Sequence, residues 1–202
     1  MSLNQPPPTV QEIFKNYTPP VSAYSVVTNL LAEVPATYLT GLDSVILTNI
    51  ECGNRKKRRQ KTLSRKRKVA VKDCRGLYHQ QWQGIPARIE LFVDNIVNGI
   101  PLWILRIPLI CNLIFAEVLF HEVGHHIHYA KVPEHREREN VANYWGKKLR
   151  KSYFRRKYWY FIPLLKLLLL LTWPFRKNVE YEIKGEKREV LINGRNGSGL
   201  ES

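Results

Sequence analysis

An apolar stretch of the sequence covers residues 108–120 and leads directly into a more polar pentapeptide at 121–125. Proline is tolerated in the first turn of a helix, so the run predicts a long, largely buried helix that begins at Pro108. Because Pro133 cannot continue a helix, the pattern predicts an end shortly after Tyr129. We therefore expect the pentapeptide to lie on a rigid, buried helix.

Four other segments have regular patterns of apolar and polar positions. Residues 43–50 have the pattern of a strand, and residues 87–96 alternate as a half-buried strand does. Residues 76–86 predict a strand and a turn that lead into the second of these strands. Residues 139–149 have the periodicity of a helix. The mixture of strands and helices predicts an α+β fold.

The pentapeptide at 121–125 is His-Glu-Val-Gly-His, an arrangement of zinc ligands and general base that occurs in metallopeptidases. On a helix, His121 and His125 lie one turn apart on one face, so both imidazoles can reach a single ion while Glu122 flanks it. Gly124 leaves room for the close approach of another backbone. A hydrolytic metalloenzyme is therefore the leading hypothesis.

A third protein ligand is expected from the residues that follow the pentapeptide. The candidates are Glu134, His135, Glu137 and Glu139. Glu139 is favoured because it begins a helical segment that can return its carboxylate to the ion. Asn143, one turn later on the same face, can hydrogen-bond a ligand imidazole and fix its tautomer. Two histidines, one carboxylate and a water form an open, catalytic type of zinc site.

The motifs HEVGH at 121–125 and ENVAN at 139–143 resemble those of the gluzincin metallopeptidases, especially the small single-domain minigluzincins. The resemblance covers residues 21–150. It implies a zincin-like domain in which a mixed sheet packs on the active-site helix and its edge strand pairs with an extended peptide substrate. It also implies that Glu122 is the general base of peptide hydrolysis. The zinc ligands it implies are His121, His125 and Glu139.

The other histidines and several tyrosines near the motif have open roles. His128 lies one turn beyond His125 and can contact the site, whereas His126 points away from the ligand face. The HExxH motif needs neither, and His79 is expected to be an ordinary surface or packing residue. The candidates for stabilising a tetrahedral oxyanion are Tyr129, Tyr144 and Tyr153.

Composition sets the domain organisation that we expect. A chain of 202 residues with 44% hydrophobic residues can bury one core, which predicts a single domain over 21–157. The flanking segments 1–20 and 176–202 are expected to be tails. The start of the chain lacks the features of a secretory signal, so a cytoplasmic location is expected. Three cysteines without CxxC spacing argue against a disulfide framework or a cysteine zinc site.

Much of the net charge of +15 lies in a basic insertion at 55–68, which has ten positive charges and no acid. Such a run predicts a self-repelling loop that is disordered until it binds. It is either a solvated insertion or an electrostatic tether to nucleic acid or acidic lipid. Since no aromatic residue interrupts the run, contacts with nucleic acid would be mainly with phosphates. In a eukaryote, the run would also have the character of a nuclear import signal.

A second basic stretch, 147–157, precedes an apolar segment at 158–175 that has aromatic residues near both ends. A helix between Pro163 and Pro174 would be only about 15 Å long, against roughly 30 Å of hydrocarbon. The open interpretations are an in-plane or re-entrant membrane anchor, a buried core or partner helix, and a true span. The first would attach the protein peripherally to an anionic membrane.

Taken together, the patterns predict a zinc-dependent peptidase. The alternative is a metal-binding regulatory protein with a vestigial or sensory site, whose basic and apolar segments bind nucleic acid or membrane.

Overall fold

A computed structural model gives the fold of the chain. The residues that it describes are 6–53, 61–64, 67–131 and 139–160. They belong to two compact units, 1–153 and 154–202, and the second is described only as far as residue 160. Most of the predicted apolar segment 158–175 and all of the predicted tail 176–202 therefore lie outside the described residues.

Strands of the described residues form one sheet of four strands and one of two. In chain order the strands are β1 (Thr9–Ile13), β2 (Leu42–Thr48), β3 (Lys61–Ser64), β4 (Arg67–Ala70), β5 (Gly76–His79) and β6 (Ala87–Phe92). The larger sheet has the order β1-β2-β6-β5. Its first three strands run parallel, whereas β5 runs antiparallel to β6 and forms an edge. The predicted α+β class is thus confirmed, and the sheet is mixed.

The α-helices lie between and after these strands. In chain order they are α1 (Ala23–Ala32), α2 (Ala36–Leu39), α3 (Val93–Val97), α4 (Leu102–Leu105), α5 (Pro108–Lys131) and α6 (Glu139–Lys157). Within the part of the chain that the structure describes, no helix combines the length and the apolar character that crossing a membrane requires.

Helix α5 packs on one face of the larger sheet, where the core of the first unit lies. On this face Ile89 of β6 pairs in register with Val45 of β2, and all of their side-chain surface is buried. Helix α1 packs on α5 and buries residues at helical spacing, including Val27 and Leu30. Burying apolar side chains of this size contributes about 1.5–3 kcal/mol each, which holds α5 firmly on the sheet.

The structure revises the predicted ends of several elements. Helix α5 begins at Pro108 as predicted, and α6 continues to Lys157, beyond the 139–149 segment whose periodicity indicated it. The strand predicted over 87–96 is wrong after Phe92, because the chain turns there into helix α3. Asp94 in the first turn of α3 accepts a hydrogen bond from the backbone N–H of Ile50, which fixes this departure from the sheet.

Two segments that were expected to lack structure contain strands. The predicted tail 1–20 includes β1, whose five residues pair with β2 but are mostly exposed, so they leave little hydrophobic periodicity to detect. The prediction of a disordered loop at 55–68 is wrong for 61–64 and 67–68, where β3 pairs antiparallel with β4. The register opposes Thr62 to Val69, and strand propensity outweighs a charge repulsion that water and salt screen.

Candidate metal centre

Helix α5 places the two histidines of the HEVGH motif beside each other. Their ring centroids are 4.8 Å apart, and His121 Nε2 lies 3.3 Å from His125 Nε2. One helical turn separates the two residues, so their side chains leave the helix on one face. In both rings the nitrogen that faces the other ring is Nε2. His125 is buried and His121 is partly exposed. The pair is thus open to solvent on one side.

Glu139, the first residue of α6, completes the group. Its Oε1 atom lies 3.3 Å from His121 Nε2, and its Oε2 atom lies 3.4 Å from His125 Nε2. Among the described residues, these three form the only cluster of histidine, cysteine and acidic side chains with the spacing of a metal site. The structure therefore brings together the three residues that the sequence selects as ligands.

Two glycines let α6 approach α5 closely enough to bring Glu139 into place. A Cβ atom added to Gly124 would lie 2.5 Å from the carbonyl oxygen of Ala142. One added to Gly146 would lie 3.2 Å from the Cα atom of His121. The backbones thus touch at both points, and Ala142 is one turn after Glu139. The packing of the helices holds the carboxylate over the histidine face.

The spacing of the donor atoms fits zinc. A tetrahedral zinc site with bonds of about 2.0–2.1 Å has donors about 3.3–3.4 Å apart. His121 Nε2 lies 3.3 Å from both His125 Nε2 and Glu139 Oε1, which matches this value, whereas the 3.4 Å contact to His125 is made by the other carboxylate oxygen, Oε2. A charge-assisted hydrogen bond between histidine and carboxylate would be shorter, at about 2.7–2.9 Å. Two imidazole nitrogens and one carboxylate oxygen also form the donor set of open zinc sites.

Glu122 lies on the same helix and is buried beneath the edge strand β5. Its carboxylate accepts a hydrogen bond from the backbone N–H of Tyr78. A Cβ atom at Gly76 would lie 2.9 Å from both Cγ and Oε1 of Glu122, so only glycine leaves room for this side chain. Burial raises the pKa of Glu122, and although the two motif histidines and the Tyr78 N–H oppose this shift, the pKa stays above its ordinary value.

No protein-family model, curated protein or solved structure matches the chain. The resemblance to the gluzincins therefore rests on the two motifs and stays a prediction.

The remaining candidates occupy varied positions. Asn143 is half-buried on α6, and among the described residues it makes no side-chain hydrogen bond to either motif histidine, so its supporting role stays a prediction. The alternative third ligands, Glu134, His135 and Glu137, lie outside the described residues. His79 is not in the cluster and instead lies 3.4 Å from Glu90.

The three candidate tyrosines and His128 differ in burial. Tyr144 is 60% exposed, whereas Tyr153 is buried and packs edge-on against Phe120. Tyr129 lies beside Tyr78, with ring centroids 6.5 Å apart. His128 is buried, and its Nε2 atom has no hydrogen-bond partner among the described residues. The choice of an oxyanion-stabilising residue stays open among the tyrosines.

Sequence reasoning missed the residues that lie around Glu122. Gly76 and Tyr78 belong to a short strand whose residues carry no motif, and only the structure places them over the helix.

His126 was expected to point away from the ligand face. It does so, but it is buried and hydrogen-bonded at both ring nitrogens. Burial lowers the pKa of His126, and the hydrogen bond to the Thr40 carbonyl opposes this shift only in part.

Proposed function

We propose that the protein is a zinc-dependent peptidase in which His121, His125 and Glu139 hold the metal ion and Glu122 is the general base. The observation that carries this proposal is the meeting of two imidazole nitrogens and one carboxylate group, whose contacts are 3.3 to 3.4 Å long and which are the donor types of an open zinc site. The position of Glu122, one residue after the first ligand, adds a proton acceptor next to that site.

When bound, zinc acts as a Lewis acid that polarises a carbonyl group and lowers the pKa of water. Glu122 accepts a proton from the attacking water as the oxygen of that water bonds to the scissile carbonyl carbon. The same carboxyl group then donates the proton to the amine nitrogen as the carbon–nitrogen bond breaks. The Tyr78 N–H orients the carboxylate, and burial keeps competing solvent away from it.

The substrate that suits this site is a peptide in extended conformation. Strand β5 is an edge of the larger sheet, and it lies directly over Glu122 through Gly76 and Tyr78. Extended peptides can add to the edge of a sheet as a further strand. Such pairing supports a role in cleaving polypeptides rather than small molecules.

The proposal for partners follows from charge. The basic insertion at 55–68 and the basic stretch at 147–157 would attract an anionic membrane surface or nucleic acid. We propose a cytoplasmic enzyme, attached peripherally where such a surface is present. The apolar segment 158–175 would contribute to membrane attachment if it lies in the interface.

One experiment tests the enzymatic proposal directly. Metal content is measured on the purified protein, which is then incubated with a mixed peptide library. We expect one zinc ion per chain and cleavage that Glu122→Gln abolishes without loss of zinc, because the amide cannot accept a proton. Glu117→Gln, an exposed position on the same helix, is the matched control and should cleave normally. A wild-type protein that binds zinc but cleaves nothing would favour the regulatory alternative.

A further inference from the structure

His126 follows the HEVGH motif directly but faces away from the metal ligands. It is 2% exposed, and both of its ring nitrogens have partners. Its Nε2 atom lies 3.0 Å from the backbone oxygen of Thr40, and its Nδ1 atom lies 3.2 Å from the hydroxyl oxygen of Tyr78. The imidazole thus joins the loop before β2 to the edge strand β5.

The two partners determine where the ring proton lies. A carbonyl oxygen only accepts hydrogen bonds, so Nε2 of His126 must donate to Thr40. In the neutral ring, Nδ1 is then the acceptor, and it receives the hydrogen bond that the Tyr78 hydroxyl donates. A single tautomer satisfies both contacts. The ring of Tyr78 also packs edge-on against the imidazole, with centroids 5.6 Å apart.

Tyr78 connects this contact to the proposed general base. Its side chain meets His126, whereas its backbone N–H donates to the carboxylate of Glu122. Both contacts are made by one residue of β5, which among the described residues pairs with a strand on one side only. The hydroxyl contact with His126 therefore restrains the position of Tyr78 on the side of β5 that faces α5.

We propose that His126 is a positioning residue for Glu122. The His126 imidazole holds β5 over α5 by joining the Thr40 carbonyl to the Tyr78 hydroxyl. The proposal rests on the proposed peptidase function, since it assigns His126 a task in orienting the general base. The side-chain hydrogen bonds of His126 are with Thr40 and Tyr78 and not with the proposed metal ligands, so it acts on Glu122 through Tyr78.

Packing alone does not account for a histidine at this position. An apolar residue of similar size would fill the space but leave the Thr40 carbonyl and the Tyr78 hydroxyl without these partners. Thr40 is exposed and Tyr78 is half-buried, so water can replace part of this loss, and each bond contributes what an ordinary intramolecular hydrogen bond does. The loop also passes close to the ring: Gly41 has a φ of +86°, and a Cβ atom there would lie 3.9 Å from Cε1 of His126. The loop, the imidazole and β5 therefore form one contiguous contact.

The test compares His126→Phe, His126→Gln, Tyr78→Phe and the double variant with Phe at both positions. Glutamine has both a donor and an acceptor and is the conservative replacement. The readouts are the hydrogen-exchange rate of the Tyr78 amide, the ¹⁵N spectrum of the His126 ring, and kcat and KM for a cleaved peptide. The first two do not depend on catalysis.

We expect the wild-type ring to carry its proton on Nε2. In His126→Phe, the Tyr78 amide should exchange about 2–13-fold faster, the range that corresponds to about 0.5–1.5 kcal/mol. The value of kcat should fall while KM and zinc content stay near wild type. His126→Gln should recover much of the lost kcat and much of the lost protection of the Tyr78 amide. The double variant should be no worse than the worse single one, because both changes break one contact.

Three results would overturn the assignment of His126: a proton on Nδ1 in the wild type, equal exchange rates in the phenylalanine and glutamine variants, or additive losses in the double variant. If His126→Phe does not fold, Tyr78→Phe removes the same hydrogen bond while keeping the aromatic ring, and unchanged exchange there would refute the proposal. A wild type that cleaves no peptide would refute the peptidase function instead, and the tautomer and exchange rates would still report on the contact itself.

Discussion

A Cβ atom at Gly124 would lie 2.5 Å from the carbonyl oxygen of Ala142, a distance at which two non-bonded atoms cannot remain. The two residues belong to different helices, α5 and α6, and each helix carries part of the proposed zinc site. Since the obstructing atom is a backbone atom, no side-chain rotation can relieve the contact. The position of Glu139 thus depends on the absence of a side chain one residue before His125.

Gly124→Ala should therefore separate the helices and weaken metal binding. Replacing a helical glycine by alanine normally stabilises a helix by about 1 kcal/mol. Overpacking costs about 1–3 kcal/mol or more, and here it exceeds that gain. We expect a net loss of stability in urea unfolding, together with a lower zinc affinity measured by competition with a chelator.

Gly146→Ala is the matched comparison for this prediction. Its added Cβ atom would lie 3.2 Å from His121 Cα, which a shift of a few tenths of an ångström relieves. We expect its stability to stay within about 1 kcal/mol of wild type, since the helix propensity of alanine offsets the tight contact. Equal effects of the two substitutions would contradict the assignment of Gly124 as the closer contact.

Gly76→Ala should impair catalysis while leaving the metal site intact. The added methyl group would lie 2.9 Å from both Cγ and Oε1 of Glu122, and equally close to Val118. The carboxylate must then leave its place under β5, whereas none of the three proposed ligands is among the atoms nearest to that methyl group. We expect zinc content near wild type and a fall in kcat of at least about tenfold, which corresponds to about 1.4 kcal/mol of transition-state stabilisation. A normal kcat would show that Glu122 does not act from this position.

The metal-site group could be predicted from the sequence because its spacing is local. Two histidines four residues apart on a buried helix must share a face, and the helical pattern after Glu139 indicated where a carboxylate returns. What brings that carboxylate to the histidines is the backbone contact at Gly124 and Gly146. A glycine in the sequence, such as Gly124, can indicate that another backbone approaches closely. It does not indicate which backbone this is, and here it is that of Ala142.

The surroundings of Glu122 could not be predicted in the same way. Tyr78 and Gly76 meet the helix only through pairing of β5 with β6, and a four-residue strand gives almost no periodic signal. His126 was expected to be neutral to function because the motif does not require it. Its two hydrogen bonds are with Tyr78 and Thr40, which lie 48 and 86 positions earlier in the chain. No local sequence pattern reports contacts between residues so far apart.

Removing the metal should lower the stability of the folded protein. A ligand that binds only the native state stabilises it by about 2.7 kcal/mol at a free concentration of 100 times its Kd. We expect Tm to rise with zinc concentration in the wild type and to stay nearly constant in Glu139→Ala. Glu117→Ala is the control on α5 and should respond like wild type. If zinc still stabilises Glu139→Ala while changes at Glu134, His135 or Glu137 remove the effect, the third ligand is one of those residues.

The three cysteines should differ in their reaction with a thiol reagent. Cys52 is exposed, whereas Cys74 and Cys111 are buried. Burial, with Glu122 and Asp73 nearby, raises the pKa of Cys74 to about 11, so only about one molecule in a thousand carries its thiolate at pH 8. We expect Cys52 to react at least about tenfold faster than the other two, and all three to react alike in denaturant. The fast phase should leave zinc content unchanged, because Cys52 is not part of the proposed site.

Neutralising the basic insertion at 55–68 should weaken binding to anionic partners without changing peptide hydrolysis. Its ten positive charges act over a screening length of about 10 Å at 0.1 M salt, and the proposed metal site contains none of them. We expect the wild type to bind anionic vesicles or DNA at low ionic strength and to lose that binding steeply as salt is added, with a slope that falls when lysine and arginine become glutamine.

The pairing of β3 with β4 changes how that variant must be designed. Residues 61–64 and 67–70 form an antiparallel strand pair, so substitutions confined to 55–59 remove charge outside β3 and β4. Comparing them with substitutions in 61–68 separates a loss of charge from a loss of the hairpin. If the wild type binds neither vesicles nor DNA at low salt, the insertion is a solvated element and the tether proposal is wrong. If both sets of substitutions reduce the salt slope in proportion to the charges removed, electrostatic attraction alone accounts for the binding.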